Sequence, residues 1–337
     1  MHSVNYRLQL CIRGDPIVRH AGRRSPALRA LVRHFSQSHD LRIDARPGDN
    51  PIRRAVVVLQ SLFGISRSPQ TAPPDLADFP WERKQYSWQK HSPNARLVYI
   101  RDRDVMDKEL AKLKPGPLGF DLEWKPNREK GVPNHPVALV QLASEDTVLL
   151  IHLTAIMKGK KDSFPASLRE VLENPSYSKA GVSILPDCKK LWNDHRANVR
   201  NCVELGLLAR TVDSDRWHGK YAQPIALARL CNAYHGLTLR KGKITCSDWE
   251  KTLTREQQEY AANDGHSGLT IYQALHQLLE NIQPKPLPSF YSFDVFEGSP
   301  YQLSTLSKPT ERWEPHNPFY HYDPPVPQRR SKIWKLP

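Results

Sequence analysis

Three strand-like runs in close succession constrain the fold of this 337-residue chain more than any other feature. Their sequences are PLGFDLEW at 117–124, HPVALVQLAS at 135–144 and DTVLLIHL at 146–153. A helical run at 167–175, the strand-like SKAGVSIL at 178–185 and mostly helical sequence from about residue 204 come after them. Clustered strands followed by alternating helices and a further strand predict an α/β domain, in which helices flank a central mixed β-sheet.

Residues 1–35 have the composition of a mitochondrial transit peptide. The first forty residues contain seven arginines and no lysine, and RRSPALRALVRHFSQS spaces Arg, Leu and Ala as an amphipathic basic helix would. The stretch Arg33-His34-Phe35-Ser36 also resembles a matrix-peptidase cleavage site. We therefore expect a mitochondrial protein, with a nuclear signal or a disordered basic tail as the alternatives.

The flanks of the predicted domain, which spans 96–281, do not have the composition of a folded core. Residues 36–95 include PQTAPPDLADFPWERKQ and other turn-rich pieces, which indicate a largely irregular linker. Residues 282–337 contain 11 of the 29 prolines, which indicate a disordered or extended basic tail that cannot continue a helix or a central strand.

Charge and cysteine usage exclude some classes of protein and support others only weakly. The net charge of +14 suits a nucleic-acid partner, but more than half of the excess lies ahead of residue 96. The five scattered cysteines form no CxxC pair and no zinc-ligand spacing, which argues against a disulfide framework or structural zinc. No apolar run reaches the roughly 18 residues of a membrane span, so we expect no membrane partner.

Two carboxylates end the first of the three strand-like runs. Asp121 and Glu123 are separated by one residue, and such residues on a strand project to the same face. Two like charges in that position repel unless a cation lies between them or one takes up a proton. The pair therefore indicates a metal site, although D-x-E pairs are also common at solvated strand ends.

Two further positions carry acids where packing alone does not require them. Tyr260 and Asp264 are four residues apart and share one face of a predicted helix, at the top of an apolar stripe. Asp187 follows the strand SKAGVSIL at the start of a helix, where an aspartate often serves only as a cap. Oxygen-only ligands favour Mg²⁺ or Mn²⁺, and two such ions can drive phosphodiester hydrolysis.

Taken in order, these stretches resemble the DEDDy group of 3′–5′ exonucleases. The resemblance covers about residues 96–281 through GFDLEW, VALVQLAS, AGVSILPDCKKL and CSDWEKTLTREQQEYAANDGHSGLTIY. It is strongest to the exonuclease domain of the Werner syndrome protein, with RNase D and polymerase proofreading domains more distant. The family's D-x-E motif falls on Asp121 and Glu123, its second aspartate on Asp187, and its Y-x-x-x-D motif on Tyr260 and Asp264.

The resemblance implies an RNase H-like fold and a two-metal-ion mechanism. Asp121, Glu123 and Asp264 would hold the ion that carries the attacking water. Asp121 would also reach a second ion, which Asp187 would join directly or through water. Tyr260 would orient the water, because a phenol is a poor base near pH 7. The products would be nucleoside monophosphates released from a 3′ end.

Two features of the second motif depart from the family pattern. Ser183 stands where relatives usually carry glycine, and Pro186 precedes Asp187 and could shift the reach of its carboxylate.

The resemblance offers weaker candidates for substrate contact. Arg240, Lys241 and Lys243 form a basic loop that could bind backbone phosphate or could simply be solvated. Leu122 lies between the two acids, where the family often places a residue against the terminal base, although strand alternation favours a core position.

We therefore expect a metal-dependent 3′–5′ exonuclease that acts on DNA, with a role in DNA repair. The alternatives are an RNase D-like exoribonuclease that trims RNA and a catalytically decayed scaffold that binds nucleic acid. The five filled motif positions argue against the scaffold.

Overall fold

The computed structural model describes residues 84–127, 129, 131–158, 164–240 and 242–322. The predicted transit peptide, most of the predicted linker, Lys241 and the end of the tail lie outside these residues. The strands are β1 Arg96–Ile100, β2 Gly116–Trp124, β3 Val137–Ala143, β4 Thr147–His152, β5 Tyr177–Gly181, β6 Val199–Glu204, β7 Ser292–Phe296 and β8 Ser299–Tyr301. The α-helices are α1 Trp88–His91, α2 Arg103–Leu110, α3 Leu153–Ile156, α4 Ala166–Glu173, α5 Ile184–His195, α6 Leu205–Val212, α7 Leu227–His235 and α8 Arg255–Glu280. Two 3₁₀ turns, Lys243–Cys246 and Pro288–Phe290, complete the described elements.

The strands form one mixed sheet in the order β1-β4-β3-β2-β5-β6-β7-β8. β3 pairs antiparallel with both β2 and β4, whereas β1 runs parallel to β4, β5 runs parallel to β2, and β6 runs parallel to β5. The chain between the two strands of each parallel pair contains at least one helix, as a parallel crossover requires. The prediction of an α/β, RNase H-like fold with a central mixed sheet is confirmed.

Helix α8 packs across the central strand β2 at a point where neither element has a side chain. A Cβ added to Gly119 of β2 would lie 2.0 Å from the carbonyl oxygen of Gly265 in α8. A capping box between Thr254 and Gln257 fixes the first turn of the helix. Backbone contact at Gly119 therefore sets how close the helix comes to the sheet.

The strand predicted at 178–185 ends earlier than its apolar sequence indicates. β5 stops at Gly181, Ser183 adopts a left-handed conformation with φ of 56°, and α5 begins at Ile184. The reversal is stabilised from outside the segment, because the Glu204 carboxylate accepts hydrogen bonds from the amides of Ser183 and Ile184. Local sequence could not reveal that partner, and β6, which carries it, was not predicted.

The folded unit extends beyond both ends of the predicted 96–281 domain. Residues ahead of 96 were expected to be linker, yet Tyr86 and Trp88 are buried. The flank after 281 was expected to be disordered or extended, yet β7 pairs with β6 inside the sheet. The buried Asp294 of β7 forms an ion pair with Arg200 of β6 (3.1 Å) and explains that order.

The prolines of the C-terminal flank still follow their expected constraint. β7 contains none, and Pro300 lies in β8 at the edge of the sheet. Among the described helices, none combines the length and the apolar character that crossing a membrane requires.

Candidate active site

Three of the five predicted motif residues are carboxylates that lie close together where α8 packs on β2. Asp121 and Glu123 project from one face of β2, and Asp264 projects from α8. Each offers an oxygen that lies within 4.8 Å of the other two. All three side chains are half-buried. This separation suits a single divalent cation held between the strand and the helix.

The cluster concentrates negative charge in a place with little water. Burial, followed by the charge of Asp264, raises the pKa of Asp121 to about 8. The pKa of Glu123 lies well above its ordinary value because of burial and then the charges of Asp121, Asp264 and Asp187. Without a cation, burial and mutual repulsion therefore favour the protonated carboxyls, and a bound cation would favour their ionised form.

Asp187 lies beside this trio but does not join it in the close cluster. It sits in the first turn of α5. Burial, then the charge of Asp121, then that of Glu204, raise its pKa well above the ordinary value. The structure thus brings Asp187 into the electric field of the cluster, as a fourth acid on a different element.

Pro186 leaves the helix that carries Asp187 intact. It lies in the first turn of α5, where backbone N–H groups have no partner inside the helix. The missing N–H of proline therefore costs no helical hydrogen bond.

Glu204 anchors that first turn from the end of β6. Its two carboxylate oxygens accept from Ser183 N and Ile184 N, each at 3.1 Å, and its Oε1 also accepts from Gly206 N at 3.4 Å. Ser183 itself makes no side-chain cap. A carboxylate from another element therefore takes the place of the N-cap and fixes the turn that presents Asp187.

Tyr260 lies one helical turn before Asp264 and contacts it. The Tyr260 phenol donates a hydrogen bond to the Asp264 carboxylate. Burial, and then the charge of Asp264, raise the pKa of Tyr260 far above 10. In the absence of a cation, Tyr260 is therefore a protonated hydrogen-bonding group next to the cluster.

A buried glutamine faces the same contact. Gln141 of β3 is the register partner of Asp121, is fully buried, and lies against Gly265 of α8. Among the described residues, neither its amide oxygen nor its amide nitrogen has a hydrogen-bond partner. An unpaired buried amide costs roughly 1–3 kcal/mol. Three gathered carboxylates and an unsatisfied amide next to them are a donor set that fits Mg²⁺ or Mn²⁺.

The candidate substrate contacts are distributed unevenly. Arg240 is exposed, forms a 2.7 Å ion pair with Glu256, and lines a cleft that opens onto Tyr260 and Asp264. Lys243 is exposed at the start of its 3₁₀ turn, and it does not line that cleft. Leu122 packs in the hydrophobic core, as strand alternation indicates, so the structure does not place it against a terminal base.

Sequence reasoning missed four polar residues around the site. A glutamine inside the otherwise apolar VALVQLA was a usable signal for Gln141. Glu204 gave no signal because its strand was not predicted. Lys84 and Lys90 lie in the segment interpreted as linker, yet they line the same cleft as Asp264.

The sequence of this chain matches a family of known proteins. The family model described as "3'-5' exonuclease" matches residues 98–280, which include all five motif positions. The bifunctional 3′–5′ exonuclease/ATP-dependent helicase WRN of Mus musculus is 37% identical over 169 residues, 49% of this chain and 11% of that protein. Exonuclease 3′–5′ domain-containing protein 2 of Drosophila melanogaster is 35% identical over 170 residues, 50% of this chain and 26% of that protein. The chain thus spans about a quarter or less of the length of these two relatives.

Solved structures also align with it. The EXO domain of Aedes aegypti Nibbler is 25% identical with a TM-score of 0.46, over 56% of this chain and 90% of that one. Escherichia coli RNase D is 22% identical with a TM-score of 0.46, over 55% of this chain and 46% of that one. The match of the family model to more than half of the sequence decides the assignment: the chain belongs to the 3′–5′ exonuclease family.

Proposed function

We propose that this protein is a metal-dependent 3′–5′ exonuclease of the DEDDy type, which removes nucleoside monophosphates from the 3′ end of DNA. The observation that carries the proposal is the cluster of Asp121, Glu123 and Asp264, whose oxygens lie within 4.8 Å of one another. Asp187 and Tyr260 stand beside it. RNA is the alternative substrate, since nothing in the cluster distinguishes the two polymers.

In this proposal the acids form the binding sites of two divalent cations. Asp121, Glu123 and Asp264 would hold one divalent ion, and Asp121 with Asp187 would hold a second. Such ions, when bound, supply a nucleophilic water and stabilise the leaving oxygen of a phosphodiester. Gln141, next to Asp121, can donate or accept a hydrogen bond within the loaded site.

Tyr260 keeps its proton and acts by position. As a neutral phenol it donates to the Asp264 carboxylate and retains a lone pair that can accept a hydrogen bond from a water. Its place one turn before Asp264 on a rigid helix would hold that water in line with the scissile phosphate. Good alignment of this kind supplies a large part of the rate in phosphoryl transfer.

A degradation assay tests the proposal. Oligonucleotides labelled at the 5′ end, as single-stranded DNA, recessed duplex and RNA, are incubated with Mn²⁺ or Mg²⁺. We expect progressive shortening from the 3′ end, with DNA preferred, and its loss both in EDTA and in Asp121→Asn. Undiminished activity under either condition would refute the metal mechanism. A clean preparation that shortens no substrate would instead favour the scaffold.

The cellular setting follows from the N-terminal sequence and is part of the proposal. We infer import into mitochondria and a role in DNA repair there, with the nucleus as the alternative. Mass spectrometry of the protein purified from its cells would show an amino terminus near residue 36. An intact residue 2 would contradict import with cleavage.

A further inference from the structure

A cleft of about 680 Å³ runs from Tyr260 and Asp264 to a segment that precedes the family-matched region. The N-terminal segment, residues 84–92, forms one wall through Lys84, Lys90 and His91. Helix α8 contributes Tyr260 and Asp264 to the same cleft. The volume is within the roughly 300–1,000 Å³ of sites for small ligands. A cleft of this volume is large enough for a few nucleotide units.

The N-terminal segment is fixed to the helix turn that carries the catalytic aspartate. The amide of Trp88 donates to Asn263 Oδ1 at 2.8 Å, one residue before Asp264. Two residues after Asp264, His266 bonds the Tyr86 hydroxyl at 2.6 Å and Ser92 Oγ at 3.0 Å. The N-terminal segment is therefore attached to the helix turn that carries Asp264, which fixes the distance between them.

The same segment is also bonded to the loop after α7. Tyr86 N donates to Thr238 O at 2.9 Å, and Thr238 N donates to Lys84 O at 3.2 Å. This short parallel bridge fixes the backbone from which Lys84 extends.

The N-terminal segment supplies lysines to the cleft, whereas α8 supplies its acids. Among the described residues, Lys84 and Lys90 form no ion pair, and both side chains are exposed. The acids of the cleft, Glu256, Glu259 and Asp264, all belong to α8, and Glu256 is already paired with Arg240. The ammonium groups of Lys84 and Lys90 thus lie on the N-terminal segment, in the same cleft as Tyr260 and Asp264.

We propose that Lys84 and Lys90 bind the phosphates of a single strand just upstream of the scissile bond. The inference rests on the proposed function and adds to it: residues ahead of the family-matched region hold the strand whose 3′ end is cleaved. Lysines act on phosphates as unpaired cations of this kind, and they position a strand without reading its sequence.

The test is the double variant Lys84→Gln/Lys90→Gln, with Lys220→Gln/Lys285→Gln as the control of equal charge. Lys220 and Lys285 are exposed and lie outside the cleft. Binding of a 5′-fluorescein single-stranded oligonucleotide in EDTA is followed by anisotropy over a range of salt. We expect the slope of log K against log salt to fall by about 1.4, and affinity near 50 mM salt to fall at least about tenfold. The control pair should match the wild type.

Kinetics separate a role in binding from a role in chemistry. The second substrate is the 4-nitrophenyl ester of thymidine 5′-monophosphate, which has no upstream phosphate. We expect the variant to lose kcat/KM on the oligonucleotide through a higher KM, with the loss confined to that substrate. Equal losses on both substrates, or an unchanged salt slope, would overturn the proposal. A wild-type protein that hydrolyses neither substrate would refute the proposed function alone, because anisotropy still decides the binding surface.

Discussion

Replacing Gly119 by alanine tests whether backbone contact sets the geometry of the carboxylate cluster. The added Cβ would lie 2.0 Å from Gly265 O and 2.8 Å from Leu269 N, both on α8. Neither atom can turn away as a flexible side chain would. Ordinary contact begins at 3.4 Å, so α8 must retreat by about 1.4 Å, or β2 must bend by as much.

The displacement has separable consequences for stability and for activity. Overpacking of this kind costs about 1–3 kcal/mol of unfolding free energy, and occasionally more. Asp264 immediately precedes Gly265 on the helix, so the same retreat moves its carboxylate away from Asp121. A misplacement of about 1 Å can cost on the order of 100-fold in rate. We expect a comparable loss in Gly119→Ala, even at temperatures where the variant is fully folded.

Urea unfolding and 3′–5′ degradation with Mn²⁺ measure the two effects on the same preparation. Gly242→Ala is the matched control for stability, because a Cβ there meets nothing within 4 Å. It should stay within about 0.5 kcal/mol of the wild type. A Gly119→Ala protein with wild-type stability and wild-type rate would show that the contact does not set the site, and the reasoning would fail.

Three further outcomes follow from the described contacts. Tyr260→Phe removes the hydroxyl that bonds Asp264, so kcat should fall about 10- to 100-fold at similar KM in steady-state assays, and an unchanged kcat would exclude a role in alignment. Glu204→Ala leaves the amides at the start of α5 without their acceptors, so the free energy of unfolding in urea should fall by about 1–2 kcal/mol. Glu204→Gln keeps one acceptor oxygen and should recover part of that stability. An Ala variant as stable as the Gln variant would contradict the capping role. Burial, and then neighbouring His91, lower the pKa of His235 and His266 from 6.5 to about 4, so these two groups contribute stability that is present above pH 6.5 and is lost as pH falls towards 4. The site carboxyls, whose pKa values are raised, act in the opposite sense over the same window, so the contribution is measured as the difference in urea midpoint between the wild type and His235→Gln/His266→Gln. A difference that stays constant from pH 6.5 to pH 4 would contradict this expectation.

The sequence identified the acids of the site because each occupies an element with a clear period. Asp121 and Glu123 sit two apart on a strand, and Asp264 sits four after Tyr260 on a helix, so the pattern alone places each pair on one face. Connection length also explains part of the sheet order, since the short turn between β3 and β4 favours an antiparallel pair and the helix between β5 and β6 allows a parallel one.

Long-range partners explain what the sequence did not reveal. β6 is a short strand whose acid, Glu204, acts on amides some twenty residues earlier in the chain. β7 is stabilised by the Arg200–Asp294 pair, which joins residues more than ninety positions apart. The proline count of the tail gave an average over that segment and could not reveal a proline-free strand within it. The N-terminal segment has the composition of a linker, and its order depends on Asn263 and His266 of α8.

Packing, and not charge, assembles the site. The three carboxylates repel one another and resist burial, so no attraction among them draws α8 towards β2. The helix comes close because Gly119 and Gly265 allow backbone contact, and because the buried face of the helix covers the sheet. The apolar interface therefore offsets an electrostatic cost that a divalent cation would remove.

On this reasoning a cation binds the folded chain more tightly than the unfolded one, and Mn²⁺ should raise the urea midpoint of the wild type by mass action. In Asp121→Asn, where the repulsion is already reduced and one ligand is lost, the Mn²⁺-dependent rise should shrink while stability without metal increases. An equal rise in both proteins would show that Mn²⁺ stabilises the chain elsewhere.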